Sequence, residues 1–418
     1  MTDPRDAADP LRAMRARFRL PRQADGTPCI YLCGNSLGAQ PVAAGERIRD
    51  ILDDWAELAV LGHHHGPRQW MPYHEQFAAP LARLVGAKPA EVVAMNTLTV
   101  NLHLLLVSFY RPTPARSRIL CERGAFPSDR YALVTQARFH GYSPEATLIE
   151  VDARPDTGLL ATEDVLAAIE REGARIALVL LPGVQYLTGQ VLDMARITAA
   201  ARHHGCMIGW DLAHAIGNVP LSLHDWGADF AVWCSYKYLC GGPGAVAGAF
   251  VHERHAQARE LPRFGGWWGH NKSTRFEMGP DFEPIAGAEG WQLSNPPVLA
   301  LAPLLAALDC YAAAGMHAVR EKSLAQGQYA RELLAARLKS RVRCLTPEAP
   351  AERGCQLSLR VEGDAEHGRR VFADLKRLGV IGDWREPNVI RVAAHPLYNT
   401  YAEVAQFVEC LAQAVNQS

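Results

Sequence analysis

The sequence predicts an α/β protein with a mostly parallel seven-stranded sheet in a large domain and a smaller α+β domain at the C-terminus. Three observations predict it. From about Glu91, short β-rich runs alternate with longer helical patterns, as in a sheet covered by helices on both faces. At 418 residues the chain exceeds what one hydrophobic core usually organises. After Leu293 the pattern changes, with two prolines ahead of an apolar helix and a different order of elements beyond it.

The strands are expected, in order, at "EVVAM" (91–95), "RSRILC" (116–121), "ATLIEV" (146–151), "RIALVLL" (175–181), "CMIGWD" (206–211), "DFAVWC" (229–234) and "AVAGAFV" (245–251). Between them "PSDRYALVTQARF", "ATEDVLAAIEREG" and "MARITAAARHHG" carry helical periodicity, the last closing on a glycine. Ahead of the sheet, "YLCGNSLG" and "HHHGPRQW" read as loops. After "LSNPPVLALAPLLAAL" (293–308) come a long helix through Gln328 and Leu338, a strand near "CQLSLRVE", the helix "GRRVFADLKRLG", the strand "VIRVA" and a last helix from "TYAEVAQF". The expected organisation is therefore an N-terminal arm with loops over residues 1–70, a large domain over 71–300 and a small domain over 301–418.

With 43 basic and 44 acidic side chains the formal charge is −1, which offers no electrostatic footprint for nucleic acid or an anionic membrane. A small molecule or a second copy of the chain is the expected partner. The N-terminus has no apolar core of signal-peptide length, and no later run is long enough to cross a bilayer, so a cytoplasmic protein is expected. Ten scattered cysteines without CxxC spacing read as small buried hydrophobes, and no disulfide is expected.

Ligands of open α/β sheets collect at the carboxyl ends of the strands. Asn96 to Thr99, Asp211 with His214, and Tyr236 with Lys237 all sit at such ends. Asp211 alone would read as a helix N-cap. Paired with Lys237, it is what pyridoxal phosphate needs: an amine to bind the aldehyde and a buried carboxylate to keep the pyridine nitrogen protonated. "NTLTVNLHLLL" opens a helix directly after a strand, where free backbone N–H groups can hold a phosphate, although an ordinary capped helix reads the same way. "FPSD" (126–129) is a capping sequence that also places a ring and a carboxylate at the next strand end. The three adjacent histidines 63–65 invite a metal reading, but consecutive side chains diverge, and no metal site is expected.

The string "GWDLAHAIGNVPLSLHDWGADFAVWCSYKYLCGGPGAVAGAFVHE" (209–253) resembles the kynureninase family, within the aminotransferase-like, fold type I group of pyridoxal phosphate enzymes. "YLCGNSLG", "MNTLTVNLHLLLVSFYRPT", "FPSD", "GWWGH", "STRFEM", "LSNPP" and "RVAAHPLYN" resemble the family's other landmarks in the same order, from Tyr31 to Asn399.

That resemblance implies a hydrolase acting on a carbon–carbon bond, cleaving L-kynurenine to anthranilate and L-alanine, and 3-hydroxykynurenine likewise, in tryptophan degradation and NAD biosynthesis. It implies Lys237 as the Schiff-base lysine, Asp211 as partner of the pyridine nitrogen, His214 beside the ring and Phe126 stacked on it. Pro127, Ser128 and Asp129 follow in the same cofactor segment. Leu98 and Thr99 would serve the phosphate, as would the phenol of Tyr236, while Trp267 and Asn295 would reach it from the partner subunit of a homodimer with shared sites. Arg391 would clamp the substrate carboxylate. Asn35 and Ser36 would stand at the mouth, and His63, Ser294 and Asn295 near the aryl ring, a polar trio more like that of animal enzymes favouring the 3-hydroxy substrate. Lys237 would remove the α-proton and Tyr236 would return one to the β-carbon. Near Pro182, where some members carry a hydroxyl, this chain has no side-chain donor. The rival readings are a cysteine desulfurase, with Cys344 or Cys355 as the reactive thiol, an aminotransferase, and a noncatalytic cofactor-binding protein.

Overall fold

Seven apolar runs become seven strands of one sheet in the computed structural model, which describes residues 3–338 and 340–417. The strands are β1 (Val92–Ala94), β2 (Arg118–Glu122), β3 (Leu148–Val151), β4 (Ile176–Pro182), β5 (Met207–Asp211), β6 (Phe230–Trp233) and β7 (Gly248–Val251). Their spatial order is β1-β7-β6-β5-β4-β2-β3, and β7 alone runs antiparallel to its neighbours.

Side chains alternate faces along a strand, and the sheet splits its residues accordingly. Leu120, Val179, Leu181, Ile208, Trp210 and Trp233 enter one core, while Ile119, Leu178, Leu180, Phe230 and Val232 enter the other. Helices α1 (Leu98–Phe109) and α2 (Pro127–Phe139) cover the second face. Helices Thr162–Glu172, Met194–His203 and Val298–Ala314 cover the first. Gly209 is required where β5 passes β6, because a Cβ there would lie 2.2 Å from the Phe230 ring. Phe230 in turn stacks on Phe109 at 5.0 Å, and truncating such a buried ring typically costs about 3–5 kcal/mol.

All seven strands begin later than their composition predicts, and for β3 and β7 the cause is visible. Residues 144–147 close a helical turn, with Pro144 in its first position and Thr147 Oγ1 donating to the Ser143 carbonyl at 2.7 Å, so β3 starts at Leu148. Ala245 N–H bonds to the Gly242 carbonyl and Ala247 N–H to that of Asn96, which keeps both out of the β7 ladder.

A second, antiparallel sheet orders its strands Val342–Cys344, Gln356–Val361, Val389–Ala393, Asp383–Arg385. Its core takes Ala330, Leu334, Val371, Val404 and Phe407 from three helices, and also Ile30 and Leu32 from the N-terminal segment. Ile30–Tyr31 pairs parallel with Val380–Ile381, and a buried Lys322–Asp9 pair at 2.7 Å ties the arm to the C-terminal part.

The seam between the cores falls later than residue 300. Leu301, Leu304 and Leu308 pack into the large core, and the crossover occurs inside the helix Met316–Leu338, whose Val319 joins the first core and Ala330 the second. The reason is that the apolar face of Val298–Ala314 closes over Ala44–Leu58 and the sheet rather than over the small domain. All ten cysteines are free thiols. Among the described residues no single helix is long and apolar enough to cross a membrane.

Candidate active site

Lys237 stands where β6 leaves the core, in a loop held from three directions. Gly241 N–H returns to the Ser235 carbonyl at 2.8 Å, and Cys240 N–H to the Lys237 carbonyl at 2.9 Å. The Tyr238 carbonyl accepts from Tyr311 Oη at 2.7 Å and from His395 Nε2 at 3.0 Å. The N-terminal "YLCGNSLG" loop closes the third side: Gly38 N–H bonds to the Tyr236 carbonyl at 2.8 Å, and a Cβ on Gly38 would sit 2.3 Å from the Lys237 carbonyl oxygen. That loop is therefore part of the lysine's support.

The Lys237 amine opens into a cavity lined also by Leu98, Thr99, Phe126, Ser128, Asp129, Asp211, His214 and Tyr236. These nine are among the residues that sequence reading assigns to the cofactor, from two strand ends and two helix starts. Lys237 Nζ lies 3.0 Å from His214 Nε2 and 5.8 Å from the centroid of the Phe126 ring. Burial holds His214 well below the usual histidine range, with the charge of Lys237 adding to it, so its ring is neutral. Asp211 pairs in register with Pro182 on one side and Val232 on the other, and its Oδ1 accepts the Ala213 N–H at 2.6 Å. Burial raises Asp129 well above the carboxylate range, aided by the charge and the hydrogen bond of Asp211. Burial likewise raises the Tyr236 phenol, which stays protonated across neutral pH.

Thr97 precedes α1 in extended conformation without capping it, so the first N–H groups, those of Leu98 and Thr99, face the cavity unclaimed by that side chain. Pro127 occupies the first position of α2 and has no N–H to give; it sets the turn and does not line the cavity.

The fit to pyridoxal phosphate rests on unmet polar atoms. His214 Nδ1 and Asp129 Oδ1 are buried without a hydrogen-bond partner, a costly condition unless a polar ligand supplies one. An amine, an acid edge, an aromatic face at Phe126 and a helix N-terminus for an anion together match the cofactor's aldehyde, ring nitrogen, ring face and phosphate.

Arg391 is fully buried on the second sheet and reaches the cavity edge through Tyr186. Its Nη1 donates to the Tyr186 carbonyl at 2.5 Å, its Nη2 to Asp383, and its Nε has no partner. Asn35 is fully buried with neither amide atom partnered, whereas Ser36 is exposed. His63 and Asn295 meet in a separate, apolar cleft with Trp55, Trp70 and Leu299, and Trp70 stands edge-on to His63 at 5.3 Å. Ser294 is exposed beside them, and Trp267 donates to the Arg275 carbonyl. Within one chain, then, His63, Ser294, Asn295 and Trp267 are not brought to Lys237. Among the described residues, the groups close enough to hold a metal ion are Glu91–His224–His252 and His74–Glu75–Glu289, neither of which includes the histidine run 63–65.

Sequence reasoning misses Glu122, Val184, Tyr186 and Ala213 in the cavity wall, and Asp383 behind Arg391. Glu122 carried a usable signal, a carboxylate closing a strand just before "FPSD". Tyr186 carried none, because its partner Arg391 is distant in sequence, and Asp383 is paired with Arg391 by the register of two neighbouring antiparallel strands. The thiols considered for a desulfurase do not suit that role: burial pushes Cys355 up to about 12 and raises Cys344 as well.

Residues 319–411 match the kynureninase C-terminal domain family, and residues 67–222 the DegT/DnrJ/EryC1/StrS aminotransferase family. The kynureninase of Stenotrophomonas maltophilia (strain K279a) is 57% identical over 97% of this chain and 95% of its own length. That of Xanthomonas euvesicatoria pv. vesicatoria (strain 85-10) is 55% identical over the same shares. Among solved structures, the cysteine desulfurase CsdA of Escherichia coli superposes with a TM-score of 0.76 at 17% identity, covering 97% of this chain and 98% of that one. A mutant of C-DES with glycine covalently linked to its PLP cofactor superposes with a TM-score of 0.74 at 20% identity, covering 92% and 96%. At such identities the structures establish the shared fold alone.

Proposed function

The chain belongs to the kynureninase family, and on that premise we propose how its own residues divide the work. It is a kynureninase, a pyridoxal phosphate-dependent hydrolase of the Cβ–Cγ bond of L-kynurenine. The observation that carries the residue assignment is the meeting of Lys237, His214 and Asp211 in one buried cavity.

When bound, the cofactor supplies an electron sink for charge developing at the carbons next to the amino group. Lys237 is its covalent anchor and, once released, the base that takes the α-proton onto Nζ. His214, neutral and 3.0 Å away, accepts a hydrogen bond from that amine and fixes its direction. Asp211, oriented by the Ala213 N–H, is the carboxylate that keeps a ring nitrogen protonated. Leu98, Thr99 and Ser128 offer donors at two helix starts to the phosphate. Tyr236 holds a proton on its phenol and delivers it to the β-carbon as the aryl product departs.

Arg391 binds the substrate α-carboxylate, for which its unpartnered Nε leaves a donor. The buried amide of Asn35 serves the mouth of the site with Ser36. Trp267, His63, Ser294 and Asn295 act in the site of the other protomer of a homodimer. Their distance from Lys237 in their own chain supports this, as do the exposed apolar side chains Trp55, Val60, Leu61, Phe276 and Leu299 around them. The reaction is placed in tryptophan degradation, and in NAD biosynthesis where 3-hydroxykynurenine is the substrate; ten free thiols suit a cytoplasmic location.

The test is turnover of L-kynurenine followed by anthranilate fluorescence, with 3-hydroxykynurenine compared by kcat/KM. A purified protein that stays colourless with added pyridoxal phosphate and releases no anthranilate would overturn the assignment.

A further inference from the structure

The sheet of the C-terminal part has one apolar face and one polar face. Leu357, Leu359, Ile390 and Val392 point into its core, so the alternate residues Ser358, Arg391, Asp383 and Arg385 share the opposite face. Cross-strand register places Ser358 and Asp383 on either side of Arg391. Ser358 Oγ is turned to the Leu187 carbonyl, whereas Asp383 Oδ2 accepts from Arg391 Nη2. With 1% and 14% of their side chains exposed, the Arg391–Asp383 pair is shielded from bulk water. Arg385 Nη2 donates to the same Asp383 oxygen at 3.2 Å. Two guanidiniums therefore share one carboxylate, and the three groups together carry a net positive charge. On the other side the Tyr186 carbonyl accepts from Arg391 Nη1 and is itself held by Gln356 Nε2 at 3.1 Å. The guanidinium plane is thus fixed at two of its nitrogens, while Nε is buried without a partner among the described residues.

We propose that Asp383 is a positioning residue for substrate binding: by holding Nη2 it sets the plane of Arg391 so that the remaining donors, Nε among them, meet the α-carboxylate, and Arg385 on the same oxygen preserves a positive charge for that anion. This rests on the assignment of Arg391 to the substrate carboxylate. A guanidinium recognises a carboxylate through paired N–H bonds in one plane, so its orientation decides whether one bond forms or two. A charge effect alone runs the other way, because removing an anion beside Arg391 tightens the binding of another anion. Orientation and charge therefore give opposite signs to the same substitution.

The experiment compares the wild-type holoenzyme with Asp383→Ala. Cofactor absorbance follows titration with L-alanine, which carries the α-carboxylate, and with the decarboxylated analogue of kynurenine, which lacks it; steady-state kinetics give KM and kcat for L-kynurenine. Asp383→Ala is expected to weaken L-alanine binding and to raise KM roughly tenfold, the loss of one charged hydrogen bond, with a smaller change in kcat and unchanged affinity for the analogue. Unchanged or tighter L-alanine binding, or equal weakening of both ligands, would overturn the proposal. If Arg391→Lys also leaves KM unchanged, the carboxylate assignment itself falls; if only Asp383→Ala does so, that assignment stands. Should the alanine variant not fold, Asp383→Asn decides, since it keeps the side chain's shape and one acceptor in a weaker, neutral bond. L-Alanine weakened at least about threefold with the analogue unaffected is then expected, and any other result overturns the proposal.

Discussion

Lys237 Nζ lies 3.0 Å from His214 Nε2, while Nδ1 on the far side of the same imidazole has no partner. The ring is neutral, so it can accept from the amine at one nitrogen and donate to a ligand at the other. The two residues stand 23 positions apart and meet only because β5 and β6 are neighbours in the sheet.

Replacing the amine removes both the covalent anchor and the base. Lys237→Ala is expected to bind pyridoxal phosphate noncovalently, to lose the absorbance of the lysine adduct, and to show turnover reduced by at least about 10³-fold. Absorbance titration and anthranilate release check this, and near-normal turnover would sink the role.

Arg391 presents a planar fork already held by the Tyr186 carbonyl and Asp383. Lysine at this position offers a point charge on a flexible stem, without the bidentate geometry. Arg391→Lys should raise KM for kynurenine roughly 10- to 100-fold, the worth of a charged hydrogen bond, with a smaller change in kcat. Steady-state kinetics separate the two effects, and an unchanged KM would remove Arg391 from carboxylate binding.

Gly38 touches the main chain of Lys237. An alanine Cβ at 2.3 Å from that carbonyl must push the loop or the lysine away, at about 1–3 kcal/mol. Gly38→Ala should therefore lower the apparent thermal midpoint by a few degrees and slow turnover together, measured by calorimetry and by anthranilate release. A variant with normal stability and activity would show that the "YLCGNSLG" loop is not part of the support.

Acid stability should report His395. Its Nε2–H donates to the Tyr238 carbonyl at 3.0 Å and its Nδ1 accepts the Leu397 N–H at 3.2 Å, so the neutral ring is satisfied at both ends. Burial pushes it down to about 4, below the ordinary histidine value of about 6.5 in an unfolded chain. Between those values the unfolded state binds the extra proton. The contribution to stability is thus complete above about pH 6.5 and is lost as pH falls towards 4, by about 3 kcal/mol. Denaturant unfolding at pH 7, 5.5 and 4.5 should show this decline, and His395→Gln should flatten it.

Much of the cavity was legible because its residues sit at strand ends and helix starts. Asp211, Lys237, Thr99 and Phe126 each follow a run whose apolar pattern marks where a strand or helix boundary must fall. Pro127 opens α2, and its part in the cofactor segment is an expectation of the resemblance alone. The domain seam was placed too early because the helix Val298–Ala314 is apolar on nearly every side, and composition does not say which core takes it.

By itself the sequence determined the strands, the helices and the chemical types at their ends, since periodicity and side-chain chemistry are local properties. Only the tertiary structure decided which ends meet. Glu122 joins Asp211 across β4, Arg391 reaches Tyr186 from the other sheet, and Gly38 closes on Lys237 from the N-terminal segment. Those contacts span tens to hundreds of residues and follow from strand order and from which apolar faces bury each other, and no local pattern encodes either.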